Sequence, residues 1–97
     1  MATYIVLANF TDQGIRNVKE TGKRTDAFRQ LAKAASATLK DIYWTLGQDD
    51  IIVTAEAPDD MAMTALGGAL GKAGNVRTRT LRAFSQSDMA SVLGRVA

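Results

Sequence analysis

The chain has no cysteine and no histidine, and these two absences remove more chemistry than any motif supplies. Without cysteine there is no disulfide and no thiolate nucleophile, and the redox compartment is left open. Without either residue, the common zinc sites and the Ser-His and Cys-His nucleophile systems have no material. Long uncharged apolar runs are missing. The first residues open into a strand pattern rather than a charge-then-apolar leader, so a soluble cytoplasmic protein with no membrane segment is expected. Charge of one sign is also scarce. Twelve Lys and Arg face ten Asp and Glu, a net of +2. The pI near 9.2 therefore rests on a small imbalance and is a weak pointer to nucleic acid.

What is present is 97 residues, 46% of them hydrophobic. That length makes one domain, residues 1–97, which hides roughly two-thirds of its unfolded surface. It can build one core and still have apolar surface left for a partner.

Residues 3–10 are rich in β-branched and aromatic types, which suits a strand. Tyr4, Val6, Ala8 and Phe10 share one face, and Ile5, Leu7 and Asn9 the other. Both faces are mostly apolar, so this strand is expected at the centre of a sheet. Thr11 stands where a helix cap belongs, with Asp12 in the first turn. A helix over 12–36 follows, broken between about Glu20 and Lys23 at Gly22. Phe28, Leu31, Ala32 and Ala35 form its apolar stripe, while Lys19, Lys23, Arg24 and Arg29 lie on or near the solvated side. Residues 38–46 and 50–56 read as a hairpin around a turn at Gly47-Gln48-Asp49. Ile42, Trp44 and Leu46 share a face in the first arm, and Ile51, Val53 and Ala55 in the second. Pro58 suits the first turn of the next helix, and Asp59 and Asp60 suit its positive end. Met61, Ala62, Ala65, Leu66, Ala69, Leu70 and Ala73 give the stripe of that helix. Gly67, Gly68 and Gly71 lower its propensity and predict close approach to the sheet or a neighbour. Gly74-Asn75 ends it. Residues 76–84 form a fourth strand whose arginines and threonines suit an edge. Ser85 caps a terminal helix through Val96, the tail of residues 85–97.

The element order β-α-β-β-α-β, plus a short C-terminal helix, is the split-βαβ, ferredoxin-like α+β plan. It predicts a four-stranded antiparallel sheet of order 4-1-3-2 with both main helices on one face. Two helices cover one face only, yet Ile5, Leu7 and Tyr43 point the other way. A contiguous apolar patch on a small domain marks an interaction surface. Two such sheets stacked about a two-fold axis would cover it, so a homodimer or larger ring is expected. The alternative is that the tail helix folds back over the patch.

Few residues offer chemistry. Asp49-Asp50 and Asp59-Asp60 could bind a cation through oxygen, but neighbours on a strand point apart, and turn formation and capping account for both pairs. Residues 67–73 resemble a phosphate loop superficially. The pattern needs Gly at 66, which is Leu, and Ser or Thr at 73, which is Ala. No metal or cofactor is expected. Arg77, Arg79 and Arg82 are the one basic cluster, with Arg77 and Arg79 on one face. An RNA-binding sheet of this plan needs base-stacking aromatics within a motif that is absent here, which argues against nucleic acid. Edge protection, with ion pairs to Glu56 or a partner's acidic residues, is the simpler account. Asn9, Tyr43, Trp44, Glu56 and Arg79 remain as polar or amphipathic groups on strands that could line a small-molecule pocket. Tyr and Trp in such places also serve as core or interface anchors.

Four blocks occur in order: Tyr4-x-x-Leu7-x-x-Phe10-Thr11-x-x-Gly14, Tyr43-Trp44-Thr45-x-Gly47-x-x-Asp50, Glu56-Ala57-Pro58-Asp59-Asp60 and Gly74-Asn75-Val76-Arg77-Thr78. Together they resemble the GYD-domain family of small bacterial proteins, over roughly residues 3–84. The namesake Gly-Tyr-Asp falls at Gly47-Gln48-Asp49, or from Gly47 to Asp50, and its tyrosine is replaced. The resemblance implies a dimeric α/β-barrel of ferredoxin-like fold and carries no established activity, cofactor or catalytic residue. The function expected is a non-catalytic homo-oligomeric module binding a small molecule or a protein. The alternative is a cofactor-independent dimeric-barrel enzyme acting on a small apolar or aromatic substrate, with Tyr43, Asn9, Glu56 and Arg79 as its working groups.

Overall fold

A computed structural model describes residues 1–97. Strand β1 (Ala2–Phe10) leads into a short helix α1 (Asp12–Arg16), a 3-10 turn (Val18–Glu20) and helix α2 (Thr21–Ala34). Strands β2 (Thr38–Trp44) and β3 (Ile51–Ala57) form the hairpin. Helix α3 (Asp60–Ala73), strand β4 (Val76–Ala83) and helix α4 (Gln86–Leu93) complete the chain. All strand pairs are antiparallel, and the order is β2-β3-β1-β4, which is 4-1-3-2 counted from the opposite edge. No helix is long and apolar enough to cross a membrane.

The alternation along β1 sorts its side chains as its composition demands. Tyr4, Val6 and Ala8 are buried, while Ile5, Leu7 and Asn9 are half-buried on the other side. Val53 and Ala55 of β3 and Leu39 of β2 join the buried set, under Phe28 and Ala32 of α2 and Met63 and Leu66 of α3. Each large apolar side chain so buried stabilises the fold by about 1.5–3 kcal/mol.

Several local expectations are corrected. The first helix breaks at Asn17 and not at Gly22, which lies inside α2. A Cβ on Gly14 would sit 1.9 Å from the Asn75 carbonyl oxygen, so α1 lies close against the loop before β4. Thr11 holds that contact twice: its hydroxyl donates to Gly74 O at 2.6 Å and accepts from Gly14 N at 3.0 Å. Helix α2 ends with Ser36 in the left-handed region, φ 60°, as Ala37 N donates to Ala32 O at 2.8 Å.

The first hairpin arm stops at Trp44 rather than 46, the second keeps its expected length one residue later, and Leu46 is wholly exposed. Residues 45–50 leave the ladder because Asp50 is claimed by β1. Its N–H donates to Ala8 O at 3.0 Å, and its carboxylate accepts from Phe10 N at 2.9 Å. Pro58 precedes the α3 cap and is not in its first turn. Asp59 is the cap, accepting from Ala62 N at 2.9 Å. That phase buries Met63 and leaves Met61 83% exposed, reversing their expected roles. Nothing lies within 4 Å of a Cβ at Gly67, Gly68 or Gly71, so no close approach within the chain explains them.

Helix α4 is capped by a Ser85–Asp88 capping box, and every residue from Phe84 to Ala97 is exposed. The tail therefore does not fold back over the bare side of the sheet, where Tyr43 is 61% and Leu81 48% exposed.

Candidate functional site

The sheet separates two surfaces with different chemistry. On the bare side, cross-strand rows run Tyr43–Ile52–Leu7–Arg79 and Asp41–Thr54–Ile5–Leu81. Each row carries one charged end, Arg79 in the first and Asp41 in the second, with Ile52, Leu7 and Ile5 beside Thr54 in the middle. Asp49, from the β2–β3 turn, reaches across one end: its Oδ1 accepts from Asn9 Nδ2 at 3.2 Å and from Arg79 Nη2 at 3.2 Å. The Asp49 side chain is 18% exposed but that of Arg79 is 63% exposed, so solvent screens the pair from the arginine side. At the far end Lys40, at a bulge in β2, pairs with Glu56 at 3.3 Å.

Of the five residues singled out from sequence, Asn9 and Arg79 meet through Asp49, and Tyr43 lies on the same face in the row of Arg79. Glu56 shares that face at its opposite end. Trp44 faces the other side, pairing with Ile51, and its indole N–H donates to Thr21 Oγ1 at 3.1 Å. Arg79 takes Asp49 as its ion-pair partner, not Glu56.

Beneath the helices a cavity of about 230 Å³ is walled mainly by apolar side chains of β1, β3, α2 and α3, among them Val53, Phe28 and Leu70. Arg24 lines it too. That placement corrects the expectation of a solvated Arg24. Its Nη2 donates to the carbonyls of Gly14 and Asn17, each at 3.2 Å, satisfying the end of α1, and its Cζ lies 5.8 Å from the centre of the Phe10 ring. Its helical spacing from Phe28 (i, i+4) was the available signal, overridden in the sequence reading by its charge.

A second, more polar hollow lies at the lower edge of the covered face, around Tyr4, Asp60, Thr80 and Arg82. The Tyr4 hydroxyl donates to Asp60 Oδ1 at 2.5 Å, and Arg82 lies over its ring at 5.6 Å. The hydrogen bond to the Asp60 carboxylate, followed by burial, raises the Tyr4 phenol above its ordinary value, with Arg82 opposing. Sequence reasoning passed over this group. Tyr4 read as core and Asp60 as a helix-end charge, and their meeting depends on how α3 crosses the sheet.

The family model for the GYD domain matches residues 4–93, from β1 into α4. The match extends past the fourth strand to take in the terminal helix. No curated protein matches the chain. The chain belongs to the GYD-domain family.

Proposed function

We propose that this member of the GYD-domain family is a non-catalytic homodimeric binding module. Two copies stack their bare sheet faces about a two-fold axis into a barrel, and each keeps a cavity for a small molecule on the far side of its own sheet. The observation that carries this reading is that the sheet is apolar on both sides while the chain's helices cover one. Ile5, Leu7, Ile52, Tyr43 and Leu81 make the bare face a single apolar field. Four strands about 4.8 Å apart, each about eight residues long at about 3.4 Å, span roughly 19 by 27 Å. The accessible surface of such a corrugated footprint approaches the about 800 Å² per partner of a standard interface.

Light scattering on the full chain tests the assembly. The expected particle is twice the 10.4 kDa chain mass. Leu7→Lys, placing charge in the middle of the field, is expected to give a folded monomer. A wild type that stays monomeric at high micromolar concentration, or a Leu7→Lys protein that stays dimeric, removes this interface.

One observation favours a second reading, a cofactor-independent enzyme acting on a small apolar or aromatic substrate. The Tyr4–Asp60 pair beside Arg82 is an arrangement that can hold and pass a proton. Mass spectrometry of a ligand recovered after prolonged incubation separates the two. An unchanged ligand fits the binding module; a product lost in Tyr4→Phe selects the enzyme.

A further inference from the structure

Helix α4 is built as a packed element and is left unpacked by its own chain. Met89, Val92, Leu93 and Val96 follow the i, i+3, i+4, i+7 spacing of an amphipathic stripe, and all four are exposed. The capping box at Ser85 and Asp88 fixes where the helix starts. Capping alone does not hold eight residues. Helices shorter than about 12–15 residues are marginal in water and take their stability from packing an apolar side. The molecule is also elongated, as a projecting tail requires. Its radius of gyration is 14.5 Å, against about 13 Å for a compact chain of about 100 residues. The family match runs through Leu93, the last residue of α4, so the helix belongs to the domain and is not an appendage.

We infer that α4 docks on a second copy of this chain, each copy giving its helix and receiving the other's at the rim of the stacked sheets. This rests on the homodimer of the reading above. Continuity favours that occupant. Leu81 is exposed on the bare face and lies four residues before the Ser85 cap, about 14 Å of extended chain, so α4 starts at the border of that face. Size favours it as well. Each helix is about 12 Å long and about 10 Å across, and two of them widen a sheet footprint that only approaches a standard interface. Charge argues against a membrane surface. From Phe84 to Ala97 the only charged side chains are Asp88 and Arg95, so α4 lacks the basic flank that anionic lipid attracts.

The test is hydrogen–deuterium exchange of the full chain read by mass spectrometry, with light scattering on the same samples from low to high micromolar. In the wild-type dimer the α4 amides are expected to exchange about tenfold or more slowly than in the dilute monomer, where so short a helix opens freely. Leu93→Lys, in the stripe, is expected to raise the dimer dissociation constant about tenfold or more, because two-fold symmetry loses the contact twice. It is also expected to free the α4 amides while the strand amides keep their protection. Ser91→Lys, on the opposite side of the helix, is expected to leave both readings within about twofold of wild type. Both positions are exposed in the protomer, so neither lysine disturbs its core. A dimer whose α4 amides exchange freely, or a Leu93→Lys protein that dimerises like wild type, overturns the docked helix and leaves the stacked sheets standing. Protection unchanged on dilution to monomer places α4 on its own chain and also overturns it. Protection gained only with phosphatidylglycerol vesicles assigns the helix to a membrane surface, again against the inference. A wild type that is monomeric throughout overturns both readings.

Discussion

Val6 and Leu7 are adjacent in β1, similar in chemistry, and placed in different surroundings. Val6 is 2% exposed within the cluster under α2 and α3, whereas Leu7 faces away from the helices between Ile52 and Arg79. Burial free energy depends on which side of the sheet a residue occupies, and one residue of register decides that. On the covered side it is realised within one chain. On the bare side it is realised only when something else arrives. On the proposed dimer reading, apolar content beyond what two helices can cover serves association rather than the fold of the protomer.

The largest effect tests the covered side. Leu66→Ala, at a site 2% exposed, is expected to cost about 2–5 kcal/mol in urea unfolding, at every protein concentration. Val6→Ala is expected to cost about 2 kcal/mol, again independent of concentration. Leu7→Ala is the contrasting case. In dilute protein it is expected to cost below about 1 kcal/mol, with the loss growing as concentration rises, because mass action links dimer to fold. If Leu7→Ala costs as much as Val6→Ala in dilute protein, the two faces are equivalent and the comparison fails.

A smaller and opposite effect concerns the covering layer. Gly68 in α3 is exposed, and a Cβ there meets nothing within 4 Å. Gly68→Ala is expected to stabilise by about 0.5–1 kcal/mol through helix propensity alone. It strengthens the cover without touching either face, as urea unfolding would show. A loss of stability with dissociation would instead reveal a neighbouring copy packed against that glycine.

The element order, the central place of β1 and the two-faced alternation were all readable, because each follows from patterns within a few residues. The geometry of the α1–β4 corner was not. Gly14 is required by the Asn75 carbonyl, and Asp50 leaves the hairpin to serve Phe10, both through contacts between distant parts of the chain. Gly14, Asp50 and Asn75 all fall within the sequence blocks that resemble the family, but the contacts that require them are invisible in a linear pattern. Arg24 was misplaced for a related cause. A charged residue on an amphipathic helix is assigned to solvent unless its partners are known, and here they are backbone carbonyls of another element. Asn9 and Arg79, two of the polar groups on strands, come together in the fold. Their meeting point, Asp49, looked like a turn residue only.

Tyr4 sharpens the comparison at the covered face's polar edge. Its phenol, hydrogen-bonded to Asp60, is raised above its ordinary value in the folded chain. The folded state therefore holds the proton more tightly than the unfolded state does. The stabilisation is complete below the unfolded phenol's pKa of about 10 and is lost as pH rises through the higher folded value. Tyr4→Phe has no such proton. The expected outcome is a wild-type advantage that is constant from neutral pH to about 9 and shrinks above about 10, read from urea midpoints of both proteins. Every other titrating group is common to the two proteins, so the difference isolates this one. A wild-type advantage that grows above pH 10 would mean that Arg82, which favours the phenolate, outweighs Asp60. The hollow would then stabilise an anion where the present geometry keeps a neutral donor.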